Sequence, residues 1–142
     1  MKKQIYLTLL AVACVLAIVC GAYYKFTMAS AQTPKDFVEK YAAAYQREDI
    51  ATLLKMTLRE KDPKTDSMMT EDSLKADLES EFRHKSFNYV AWTHTRYASE
   101  TDKGGYIRVE VDVDEARSAV ILVRGADGDL RISRDPSGYE EP

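Results

Sequence analysis

From Phe37, apolar side chains recur at three- and four-residue spacing through Val38, Tyr41, Ala42, Ala44 and Tyr45, while Lys35, Glu39, Lys40, Gln46 and Arg47 fill the other positions. That period predicts an amphipathic helix lying on a core. Its start is marked by Thr33 as a cap, Pro34 in the first turn and Asp36 at the positive end of the helix dipole. Glu48-Asp49 breaks the pattern, and Asp49 is placed to cap a shorter helix that turns Ile50, Leu53, Leu54 and Leu58 inward. Glu60–Thr70 is polar, contains Pro63 and has no period, so it reads as a surface loop. A third helix follows from Thr70 or Asp72, with Leu74, Leu78 and Phe82 at four-residue steps.

Beyond Lys85 the pattern shifts toward alternation. Ser86–Ala98 is rich in aromatic and β-branched residues and is expected to form a long strand. Phe87, Tyr89, Ala91, Thr93, Thr95 and Tyr97 would lie on one face, and Asn88, Val90, Trp92, His94 and Arg96 on the other. Ser99–Gly105 is the expected turn. Tyr106–Asp114 alternates cleanly, with Ile107, Val109, Val111 and Val113 inward. Glu115–Arg117 reverses the chain into Ser118–Arg124, and the glycine-containing loop Gly125–Asp129 leads to a short edge strand over Leu130–Ser133. Asp135–Pro142 reads as a frayed, flexible tail. Helices followed by strands give an α+β class: three helices packed on a four-stranded antiparallel sheet.

Ahead of this domain, Lys2 and Lys3 precede Ile5–Tyr24, a run of 20 residues without a charge. Spanning a bilayer takes about 20 apolar residues, against roughly 7–15 for the core of a secretory signal, so the length favours a retained anchor. Ala29-Ser30-Ala31 before Gln32 is the small-x-small pattern of a cleavage site, which leaves a secreted form as the alternative. Cys14 and Cys20 are poor sites for lipidation: Cys20 follows the bulky Val19, and modification at Cys14 would leave Val15–Tyr24 at the new amino terminus. The expected division is a signal or signal-anchor segment over 1–31, a folded domain over 32–134 and the tail over 135–142. The lysines at the start direct the domain out of the cytoplasm, with Lys25 as a weak opposing charge.

Length and charge narrow the function classes. The chain has 142 residues, room for one core. Of its 20 basic residues, three precede residue 32, which leaves 17 against 23 acids in the domain, a net charge of −6. Such a balance argues against nucleic-acid binding. Both cysteines lie in the apolar segment, so residues 32–142 can build neither a disulfide nor a thiolate metal site.

Thr33–Thr57 and Tyr106–Ser133 together resemble the nuclear-transport-factor-2-like (cystatin-like roll) superfamily. The resemblance is carried by the opening helix Pro34–Tyr41, the break Arg47-Glu48-Asp49-Ile50 with Leu53-Leu54 behind it, and the final hairpin of Val120–Val123, Gly128 and Leu130–Ile132. Leu130 stands where many such domains carry an aromatic residue. The resemblance implies a curved sheet wrapped around a helical layer, and a family of isomerases, dehydratases, small-molecule binders and assembly modules. It is closest in kind to the short exported or membrane-tethered bacterial members. Fold alone does not choose among those functions.

The candidate chemistry is sparse. His84 and His94 are the only histidines and have no zinc-type spacing, and no phosphate-cradling or nucleophile motif is present, so neither metal nor cofactor is expected. His94 is a candidate general base if Asp112 or Glu110 orients it, the basis of an isomerase or hydratase alternative. Otherwise it is a solvated strand histidine. Glu110, Asp112, Asp114 and Glu115 form an acidic row without calcium-loop geometry. Tyr41, Tyr45, Tyr89 and Tyr97 either line the open end of a cavity for a small apolar ligand or fill the core. Val90 and Trp92, on the face opposite Phe87 and Tyr89, suggest a contact patch for a protein partner or a second copy on the outer sheet surface, unless a bulge turns Trp92 inward. The resulting expectation is a membrane-tethered binding domain outside the cytoplasm, without catalytic activity.

Overall fold

The computed structural model describes residues 2–29, 32–62 and 65–139, and the chain divides into two compact units, 1–31 and 32–142. The first is one helix, α1 (Lys2–Ala29). Its window Lys3–Cys20 has a mean hydropathy of 2.1 and buries none of its surface in protein, so by length and composition it can cross a membrane. Cys14 and Cys20 are both exposed on it.

The second unit is α+β, with helices α2 (Pro34–Gln46), α3 (Ile50–Met56), α4 (Glu71–His84) and α5 (Phe87–Thr93) followed by strands β1 (Thr95–Asp102), β2 (Ile107–Val113), β3 (Ala116–Arg124) and β4 (Leu130–Ile132). The helix starts follow their capping chemistry. Thr33, Asp49 and Thr70 each accept a hydrogen bond from the backbone N–H three residues on, and Thr70 and Ser73 close a reciprocal capping box. Glu48, with φ 54°, ends α2, and Lys85, with φ 48°, ends α4; both adopt the left-handed conformation that stops a helix.

All four strands are antiparallel and lie side by side in chain order. Val109 pairs with Val120 and Ile107 with Leu122, which puts the alternating apolar residues of β2 and β3 on one face. Phe37, Val38, Tyr41 and Tyr45 of α2, Leu53 of α3, and Leu74, Leu78 and Phe82 of α4 pack with Val109, Val111, Leu122, Leu130 and Ile132 into one core. Burial of these side chains is the main favourable contribution to folding. A β-bulge at Ala98 shifts the register of β1 on β2 between Tyr97 and Ser99. β4 closes the domain against α3: Leu58 N–H donates to Ile132 O at 2.8 Å.

The long strand expected over Ser86–Ala98 is replaced by α5 and the start of β1, so the domain has four helices in place of three. Ser86 caps α5 by accepting from Tyr89 N–H. The physical reason is tertiary: with one residue every 100°, Tyr89 and Trp92 share a face and pack on the core, while Phe87 and Val90 stay exposed. β1 continues through Asp102, inside the expected turn. Residues 135–139, expected to fray, form a 3₁₀ turn (Pro136–Gly138), and Tyr106 Oη donates to Tyr139 O at 2.8 Å. Residues 140–142 lie outside the described residues.

A helical α5 separates two residues that a strand would keep on one face. Trp92→Ala should lower the unfolding free energy by about 3 kcal/mol, the lower end for a large aromatic because Trp92 is only partly buried. Val90→Ala should stay within about 0.5 kcal/mol. Denaturant unfolding of the two variants checks this, and equal losses would restore the strand.

Candidate functional site

α2 presents Tyr41 and Tyr45 one turn apart, both almost fully buried. α5 crosses them so that the Trp92 ring meets Tyr41 edge-on, with centroids 4.6 Å apart at 72°, and stacks on Tyr45 at 5.9 Å and 19°. Such geometries suit the aromatic quadrupole. Between this aromatic wall and the sheet residues Val111, Val113 and Val120 lies a cavity of about 210 Å³, with Phe87 and Asn88 also in its lining. It is smaller than the roughly 300–1,000 Å³ of a drug-sized site. A roughly 150 Å³ apolar cavity is enough for benzene, so the space matches a single ring with a short substituent.

The buried phenols need partners. Tyr41 Oη lies 3.2 Å from Thr57 Oγ1, which itself donates to Leu53 O at 2.7 Å. Tyr45 Oη donates to Glu81 Oε2 at 2.9 Å. Arg134, arriving just after β4, donates through Nη2 to Glu81 Oε1, so both oxygens of that carboxylate are engaged. Arg134 is the one charged residue in the cavity lining, and its Nη1 is buried without a partner among the described residues. Burial is the main cause that raises the Tyr41 and Tyr45 pKa values above the usual phenol range, and the neighbouring Glu81 charge adds to it. Both tyrosines are therefore neutral hydrogen-bonding groups in the wall.

The other expected site residues are dispersed. Tyr89 packs edge-on to Phe82 at 5.7 Å, under Lys85 Nζ at 4.2 Å, outside the lining. Tyr97 is on β1, where its hydroxyl donates to Glu100 Oε2 at 3.0 Å. Trp92 is on the inner side of α5 and Val90 on its outer side, so they form no joint patch on the outer sheet face. His94 caps α5, and its Nδ1 lies 3.2 Å from Asp114 Oδ2; Asp112 lines the same pocket of about 530 Å³, and Glu110 does not. Both side chains of that pair are more than half exposed, and neither lines the aromatic cavity. Asp112 is instead held by Arg117 at 2.9 Å. Among the described residues no group of three or more His, Cys, Asp or Glu side chains is gathered to hold a metal ion.

Glu81 and Arg134 were not expected at the site. In the sequence Glu81 is one of several acids on α4, and Arg134 lies just past the expected edge strand Leu130–Ser133. Their meeting across 53 residues of chain has no local signature.

No protein-family model, curated protein or solved structure matches the chain. The raised phenol pKa values fix the sign of an alkaline effect. Because the unfolded chain releases its tyrosine protons first, stability is retained below about pH 10 and falls above it, by up to about 1.4 kcal/mol per pH unit for each tyrosine. Tyr41→Phe or Tyr45→Phe should each flatten that slope, as read from urea midpoints measured between pH 9 and 11.

Proposed function

We propose that the chain is a membrane-tethered binding domain, held outside the cytoplasm by α1, that takes a small and largely apolar ligand between α5 and the sheet. The observation that carries this reading is the cavity of about 210 Å³, walled by Tyr41, Tyr45 and Trp92 and touched by one cationic side chain, Arg134. The cavity is half open and its lining mixes the aromatic rings with polar side chains, Asn88, Thr95, Ser118 and Ser133, which suits a ring that carries a polar substituent. The apolar part of the ligand lies on the rings, and a polar substituent is directed toward Arg134.

A nuclear-transport-factor-2-like fold is in keeping with the opening helix, the helical layer and the sheet built from successive hairpins. The bulge in β1 supports the curvature such a fold needs. Proton transfer by His94 has weaker support, because its pairing with Asp114 is solvent-exposed and the pocket of about 530 Å³ beside it has a mostly polar lining. The length of the uncharged run supports an anchor over a cleaved signal, and Lys2 and Lys3 support an outward-facing domain.

Two measurements test this reading. Toluene, a ring of suitable size, should shift the emission of Trp92, the only tryptophan, in a saturable titration. Ala91→Leu, which narrows the cavity from α5, should weaken that binding by about tenfold or more with the fold retained. Absence of a saturable shift would sink the cavity reading. Independently, the full-length chain should stay with membranes through an alkaline wash; a soluble product beginning at Gln32 would reverse the anchor assignment.

A further inference from the structure

The corner between α4 and α5 departs from the rest of the domain in charge and in polarity. Residues 82–99 contain no Asp or Glu, although the domain carries 23 acids, and they include Arg83, His84, Lys85, His94 and Arg96. At this corner Phe87 is 88% exposed and Val90 is 45% exposed. The two are three residues apart and so neighbours on the surface of α5, Phe87 also standing in the lining of the cavity. Arg83 and His84 occupy the last turn of α4, exposed and without an ion-pair partner among the described residues. Lys85 follows, paired with Glu48 and lying over the Tyr89 ring. An exposed aromatic beside the unpaired cation Arg83 is unfavourable in water but suited to a headgroup layer, where the ring enters the acyl boundary and the guanidinium meets phosphates.

We infer that this corner, through Arg83, His84, Phe87 and Val90, docks on the anionic phospholipid surface of the membrane that holds the chain. The inference rests on the anchor reading given above, and the same anchor supplies the affinity that a small patch lacks. Only nine residues, 25–33, separate the uncharged run from α2, a reach of at most roughly 30 Å even when extended. The domain is therefore confined to a thin layer beside the bilayer, at an effective concentration on the order of millimolar, where a weak contact is largely occupied. The net charge of −6 makes the docking selective for orientation: the acidic remainder is repelled by the surface that attracts the corner.

The test uses the full chain in vesicles of equimolar phosphatidylcholine and phosphatidylglycerol, washed at alkaline pH to establish that α1 holds it. In a Phe87→Trp, Trp92→Phe variant the sole tryptophan reports position 87. Its emission should move to the blue and be largely quenched by phospholipids brominated near the headgroup. Because Trp92→Phe alters packing, amide hydrogen exchange of the unaltered chain gives a second reading. Exchange at 83–90 should slow in these vesicles relative to pure phosphatidylcholine, and Phe87→Ser should abolish the difference. A chain that survives the wash but shows neither quenching nor slowed exchange overturns the docking and leaves the anchor standing. A chain removed by the wash overturns both. Slowed exchange that scales with protein-to-lipid ratio, without quenching, means a second copy covers the corner and also overturns the docking.

Discussion

Two tyrosines buried one turn apart impose the constraint on which the domain is built. Their rings fill the space between α2 and α5, but a buried hydroxyl without a partner is destabilising, so each ring dictates what meets its far end. Tyr41 draws in Thr57 at the end of α3. Tyr45 draws in Glu81 of α4, and the carboxylate in turn draws in Arg134 from the end of the sheet. A carboxylate this enclosed persists only with a cation beside it. The three helical elements and the last strand are thus tied to one polar chain, and the cavity is what remains between that chain, Trp92 and β2–β3.

What the sequence discloses follows from how local each signal is. α2, α3 and α4 were legible because their caps and apolar spacing are written within a few residues: Thr33, Asp49 and Thr70, then Phe37 to Tyr45, and Leu74 to Phe82. β2 and β3 were legible because Ile107 to Val113 alternates without interruption. α5 was not. Phe-Asn-Tyr-Val-Ala-Trp-Thr has the β-branched and aromatic content of a strand, and seven residues are too few to be helical unaided. Trp92 and Tyr89 hold it as a helix by docking on Tyr41, Tyr45 and Phe82, contacts invisible before the fold exists.

The candidate site divides along the same line. Tyr41 and Tyr45, expected in a cavity wall or in the core, do meet at the cavity, where Trp92, expected on an outer contact patch, joins them; Tyr89 and Tyr97, chosen for the same chemistry, are carried elsewhere by the helical turn and by the edge position of β1. Glu81 and Arg134 look like ordinary surface charges in the sequence. Their role is set by Tyr45 standing between them and the core, a three-body arrangement that residue type and spacing do not encode.

Strand order equal to chain order has a kinetic consequence. Every pairing within the sheet joins neighbours in sequence, so β1 to β4 form by short loop closures, which are fast. The helical layer has no such independence. α3 is sealed by Thr57 and Leu58 against Ile132, 75 residues downstream of Thr57, and Tyr45 finds its complete charge partner only when Arg134 is present. During synthesis α2 and α3 emerge long before the surface they need, and remain without a core until the final hairpin arrives. The amino-terminal helices of this domain therefore stay unfolded, and open to whatever binds unfolded chain, until nearly all of it has been made.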